Sequence, residues 1–172
     1  MKKIYLISIV FLAAAFFTAS ANAQIKRPVR KPTPKPTPTV ALGEVQSAKE
    51  KVSNQAFNVT KFTAILGSVA SGIETTDRDA KTKKVDRKVL DSNNANKQKL
   101  LTAIKGLRQA LTDLETEFKT KPSLRRFAPK LDGITALSAQ SEDLAYAGKF
   151  TASKTPLDTV AQKLRDTLAS MP

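Results

Sequence analysis

Two runs of cations carry the clearest chemical potential in this sequence. Lys81, Lys83, Lys84, Arg87 and Lys88 form one, and Lys119, Lys121, Arg125, Arg126 and Lys130 surround Pro122 to form the other. Ammonium and guanidinium groups bind phosphate, sulfate and carboxylate, the guanidinium by a two-pronged fork. If residues 77–90 are helical, Lys81, Lys84 and Lys88 share a face, and each like-charged pair there costs a few tenths of a kcal/mol. An anionic partner would relieve that repulsion. The plain reading is a solvated surface whose lysines pair with Asp77, Asp79 and Asp86. The sharper reading is anion binding by Lys81, Lys84, Arg87 and Lys88, and by Lys121, Arg125, Arg126 and Lys130.

Most catalytic chemistry is closed to this chain. It contains no histidine and no cysteine. That removes His/Cys zinc sites, histidine-ligated haem, cysteine nucleophiles and the Ser-His-Asp triad. Di-iron sites of the helical-bundle type need Glu-x-x-His pairs, which are missing. Once an N-terminal signal is removed, Met171 is the only methionine, which argues against a methionine-rich copper site. No phosphate-cradling glycine loop occurs. The acidic neighbours Glu142-Asp143 and Glu115/Glu117 do not share a helix face, so they read as solvated helix charges rather than a catalytic pair. The expectation is a protein without enzymatic activity, cofactor or metal. Binding of single-stranded nucleic acid would call for aromatics among the cations. Phe62, Phe118 and Phe127 instead fall on apolar stripes, so no nucleic-acid partner is expected.

The elements that must present these cations read as helices. Val45, Val52, Val59, Leu66 and Ile73 recur every seven residues, with Leu42, Lys49, Ala56, Thr63 and Ala70 as companions. This predicts a long amphipathic helix over 41–74. Gly67 and Gly72 each cost about 1 kcal/mol of helix propensity relative to alanine, which predicts a bend or fraying there. Glu74-Thr75-Thr76-Asp77 reads as a break, followed by a short, weakly buried helix over 77–90. Asp91-Ser92-Asn93-Asn94 offers successive capping side chains and predicts another helix start. Leu100, Ile104, Leu107, Leu111, Leu114 and Phe118 then step by four and three, a coiled-coil-like stripe over 94–119. Pro122 ends it.

Beyond Pro122 the stripe continues through Leu124, Phe127, Leu131, Ile134 and Leu137, with Leu144 and Ala145 further on; Pro129 marks a helix start or a kink, and Asp132-Gly133 falls inside the helical period. Gly148 fits a helix C-terminus. Thr155-Pro156-Leu157-Asp158 reads as a cap, a proline at the first helical position and an acid at the third. Leu157, Val160, Ala161, Leu164 and Leu168 form that helix's apolar face. Nothing in the pattern argues for strands. The fold expected is all-α: an antiparallel bundle of four main helices plus a short fifth, over 41–172. Phe57 and Ile65 fall off the main stripe of the first helix. Either that helix is central and buries both sides, or they form an interface for a partner or a second copy.

The remaining segments concern location. Lys2 and Lys3, an apolar run from Ile4 to Phe17, and Ala21-Asn22-Ala23 make the three regions of a secretory signal peptide over 1–23. The run is shorter than the ~20 residues a bilayer span needs, so no transmembrane helix is expected in the mature chain. Residues 24–40 then form a disordered, basic arm, with the repeat Lys31-Pro32-Thr33-Pro34, Lys35-Pro36-Thr37-Pro38 favouring extended polyproline II. Lysine and arginine number 29 against 15 acids. Such a balance favours anionic partners. The expectation is an exported, periplasmic or extracellular protein of bacterial type. It would bind or bridge an anionic envelope polymer or membrane surface; the alternative is a structural partner whose stripes are completed by another helical protein.

Overall fold

The computed structural model describes residues 38–172, with side chains from Leu42 onward. The expected signal segment and most of the expected arm lie outside the described residues. Five helices follow one another: α1 (Pro38–Thr82), α2 (Arg87–Thr120), α3 (Ala128–Leu131), α4 (Ile134–Tyr146) and α5 (Phe150–Ser170). Among the described residues there is no strand. Because α3 is a single turn, the architecture is the all-α bundle of four main helices expected from the stripes. The short fifth element lies at 128–131 rather than at 77–90.

Each main helix packs on two others. α1 lies against α5 and α2, and α4 lies against α5 and α2. The pairs run antiparallel: Lys49 near the start of α1 meets the Pro172 carbonyl, while Glu74 meets Thr151 at the start of α5. The α1 stripe of Val45, Val52, Val59, Leu66 and Ile73 is buried, as are Leu100, Ile104, Leu111, Leu114 and Phe118 of α2 and Leu157, Val160, Ala161 and Leu164 of α5. Leu42, expected to accompany the α1 stripe, is 66% exposed. On α4 the buried positions are Ile134, Ser138, Ser141, Glu142 and Ala145, with Leu137 and Leu144 only half-buried. Small hydroxyl residues face α5 here, and the Ser141 Oγ donates to the Ser153 carbonyl at 2.8 Å.

Four helix boundaries differ from expectation; one is the break at Asp132-Gly133, which the helical period spans. α1 runs through Glu74–Asp77 because the polar side chains there find other partners. Thr76 Oγ1 bonds back to the Gly72 carbonyl at 2.9 Å, and the Asp77 carboxylate accepts from Asn93 Nδ2 at 2.8 Å and from Lys97. Asn93 is thereby buried inside α2 instead of capping a new helix. The actual cap is Asp86, which accepts from the Lys88 amide at 2.8 Å. α5 starts at Phe150, not at Thr155, so Pro156 lies inside it. The carbonyl that Pro156 cannot bond belongs to Ala152, an exposed residue that water can serve. α4 ends as Gly148 predicts: at φ 74° it lets the Lys149 amide reach the Leu144 carbonyl and its own amide reach that of Ala145.

α4 and α5 lack capping side chains of their own, and carboxylates from the longer helices supply them. Glu115 of α2 accepts from the Gly133 amide at 3.0 Å and the Thr135 amide at 2.8 Å. Glu74 of α1 accepts from the Thr151 amide at 2.8 Å and its hydroxyl at 3.0 Å. The N-termini of α4 and α5 thus receive both hydrogen bonds and negative charge from neighbouring helices. Gly133, at φ 85°, makes the left-handed step that separates α3 from α4.

The α1–α2 hairpin outlasts its neighbours. The α4–α5 turn at Ala147 and Gly148 lies beside Glu74, Asp77, Leu90 and Asn94. Between Ile73 and Leu100 no apolar side chain is fully buried. The tip is therefore held by helical hydrogen bonds and the Asp77–Asn93–Lys97 contact rather than by core. Local opening free energy follows buried contact, so amides of residues 78–92 should exchange with solvent well before those of 100–118. Amide exchange read by mass spectrometry checks this; uniform protection along α2 would contradict it.

Candidate cationic poles

The first cation run is gathered at the hairpin tip. Lys81 ends α1, Lys83 and Lys84 lie in the connection, and Arg87 and Lys88 open α2; all five are exposed. They do not line one helix face, because the chain reverses between them. The Lys83 amide still bonds to the Asp79 carbonyl at 2.7 Å, and Asp86 then starts the return helix.

Of the acids expected to neutralise this run, only Asp79 pairs with one of its members. Asp77 serves Asn93 and Lys97, Asp79 sits 3.5 Å from Lys83, and Asp86 caps α2. Among the described residues, Lys81, Lys84, Arg87 and Lys88 have no carboxylate at ion-pair distance. These four are solvated, as the plain reading has it, but without the carboxylate pairing it also expected.

The second run divides. Lys121 pairs with Glu117 at 2.6 Å, and Lys119 pairs with Glu115 at 2.6 Å and Asp132 at 2.8 Å. Lys121, its side chain 44% exposed, thus has a carboxylate partner on its own helix, unlike the other three candidates of this run. Arg125, Arg126 and Lys130 remain exposed, without a carboxylate partner among the described residues. Their exposure follows from the chain around them. Leu124, Phe127 and Leu131 are buried, and three-residue turns carry the backbone between them. The intervening Arg125 and Arg126 are thereby turned outward. Arg126 is steadied by its neighbour, with its guanidinium 4.5 Å from the centre of the Phe127 ring.

α2 joins the two clusters. Its 34 residues span about 50 Å at 1.5 Å per residue, so the cations sit at opposite poles. α1 begins at the arginine pole, where Glu44 accepts from the Ser123 hydroxyl at 2.6 Å.

The acids read from sequence as solvated helix charges are largely structural. Burial raises the Glu115 pKa, but hydrogen bonds from Lys119, Thr135 and Gly133 outweigh it and hold the carboxyl at about 2. Burial likewise opposes ionisation of Glu117, yet Lys121 and Lys51 keep its pKa below the ordinary value. Glu142 is buried and accepts from Arg108 at 2.7 Å, which raises the arginine's pKa. These roles depend on which helix lies alongside, and no spacing within the sequence signals them.

Phe57 and Ile65 are 65% and 48% exposed. α1 does contact neighbours on two sides, α2 and α5, but among the described residues neither covers the flank that carries Phe57 and Ile65. Lys61 lies over the Phe57 ring, 5.8 Å from its centre. No described helix is long and apolar enough to cross a membrane. The chain matches no protein-family model, no curated protein and no solved structure.

Proposed function

We propose that this is an exported, non-enzymatic protein that binds or bridges anionic components of the cell envelope through its basic arm at 24–40 and two cationic poles. The observation that carries the reading is the separation of Lys81, Lys84, Arg87 and Lys88 from Arg125, Arg126 and Lys130. Both groups are exposed and lack carboxylate partners among the described residues, and they lie about 50 Å apart. Cations left unpaired at both ends of a rod suit a bridge better than a single pocket. Contacts of this kind are screened by salt. The protein should sediment with isolated envelopes at low ionic strength and come off at about 1 M salt, where the screening length is about 3 Å. Retention at high salt, or no association at low salt, would sink the proposal. N-terminal sequencing of the exported form, expected to begin at Gln24, tests the location.

A second reading, docking of another helical protein or a second copy on the outer flank of α1, is favoured by the exposure of Phe57 and Ile65. Phe57→Ser removes apolar surface that the isolated bundle does not bury. Stability should therefore change by no more than about 0.5 kcal/mol. If the flank is a self-association surface, the wild type is a dimer or larger by light scattering and the variant is smaller. A monomeric wild type ends the second-copy version.

A further inference from the structure

We infer that the two poles are not equivalent and that the arginine pole is the end that docks on an anionic lipid bilayer, holding the hairpin tip about 50 Å from its surface. The inference rests on the proposed binding of anionic envelope components and specifies which end meets which kind of surface. A soluble polyanion needs only accessible positive charge. A bilayer interface also accepts apolar side chains beneath its anionic headgroups, and cation and hydrocarbon presented together bind it best. The arginine pole offers the larger apolar surface beside its cations. Leu42, 66% exposed, stands at the arginine pole. Arg126 lies between two shallow cavities of about 220 and 430 Å³, one lined by Leu42 and Val45, the other by Phe127, Lys130 and Met171. The acids nearby are occupied: Glu44 with Ser123, Glu117 with Lys51 and Lys121, Asp132 with Lys119. Glu44 keeps its charge, but among the described residues Arg125, Arg126 and Lys130 have no carboxylate at ion-pair distance and outnumber it.

The tip offers less. Its apex carries lysines and one arginine, with a single small apolar companion, Val85, half-buried in the connection between Lys84 and Asp86. The exposed Val89 lies on the flank, in a groove with Ser92 and Asn96 rather than among the cations. The side chains of Lys81, Lys84 and Lys88 suit a hydrated polymer that passes across the apex.

The test uses phosphatidylcholine vesicles with and without phosphatidylglycerol, and soluble polyphosphate as the polymer probe. The full chain and the chain from Gln24 are compared, because the apolar residues 4–17 could bind lipid themselves; both contain every described helix. Arg125→Glu/Arg126→Glu should reduce partitioning onto phosphatidylglycerol vesicles by about tenfold or more. Lys84→Glu/Lys88→Glu should leave it within about twofold while weakening polyphosphate binding. Leu42→Ser should weaken vesicle binding without changing its salt dependence. The milder Arg126→Gln/Lys130→Gln, verified by an unchanged thermal melt, guards against a folding defect. Equal loss from tip and pole variants, no loss from the pole variants, or equal binding to neutral vesicles overturns the inference. Polyphosphate binding without vesicle binding overturns it and leaves the proposed function standing. Binding to neither probe removes both.

Discussion

Glu115→Gln should lower the unfolding free energy at pH 7 by about 2–3 kcal/mol, and the melting temperature by about 10 °C. The carboxylate caps α4 through two backbone amides and binds Lys119. An amide at this position keeps the shape but loses the charge that the helix terminus and the ammonium group both favour. The pH dependence identifies the cause. The folded pKa of about 2 lies below the ordinary 4.5, so this contribution is complete above the unfolded value and fades as pH falls towards 2. Denaturant titrations at several pH values should show wild type and variant far apart at pH 7 and converging in acid. A gap that stays constant with pH would mean that packing, not ionisation, is what the substitution removes.

Phe118→Ala should cost about 3–5 kcal/mol, a large share of the ~5–15 kcal/mol that holds a typical domain together. Phe118 is fully buried where α2 ends. Truncating it leaves a void that the surrounding helices fill only in part. Urea unfolding with an unchanged slope and a lower midpoint would be the expected record. A loss under about 1 kcal/mol would mean that the core end of the bundle collapses around the gap. The contrast with Phe57→Ser is deliberate: the same residue type on an exposed flank should barely register.

Helices were legible wherever apolar side chains recur in the period of the packing they serve. Leu100, Ile104, Leu111, Leu114 and Phe118 show this, and they alone fix most of α2. Boundaries were less legible, because a side chain that can cap a helix can equally reach across to another. Asp77 and Asn93 have cap-forming chemistry, yet they bond to each other between α1 and α2. Thr155-Pro156 has the local form of a helix start. α5 already exists by then, set in motion by the turn at Gly148 and by Glu74. The candidate site was read in much the same proportion. The cations were visible in the sequence, but which of them remain unpaired depends on Glu115, Glu117 and Asp132, whose partners are fixed only once the helices pack. Leu137 and Leu144 carry the apolar signal on α4, whereas the buried Ser138 and Ser141 carry none, because polar residues seldom signal a buried face. Ser141 instead meets α5 through its hydrogen bond to the Ser153 carbonyl.

The pairing of α1 with α5 has a consequence in time. α1 is the first described helix to be synthesised, yet its main apolar face is covered by the last, as Glu74 with Thr151 and Lys49 with the Pro172 carbonyl make plain. Contacts so far apart along the chain form late and slow the folding of an otherwise local helical protein. Until α5 emerges, α1 has only α2 to shield it, and a two-helix hairpin with its broad face uncovered has little cooperative stability. A nascent chain of this design stays open until its final turns appear.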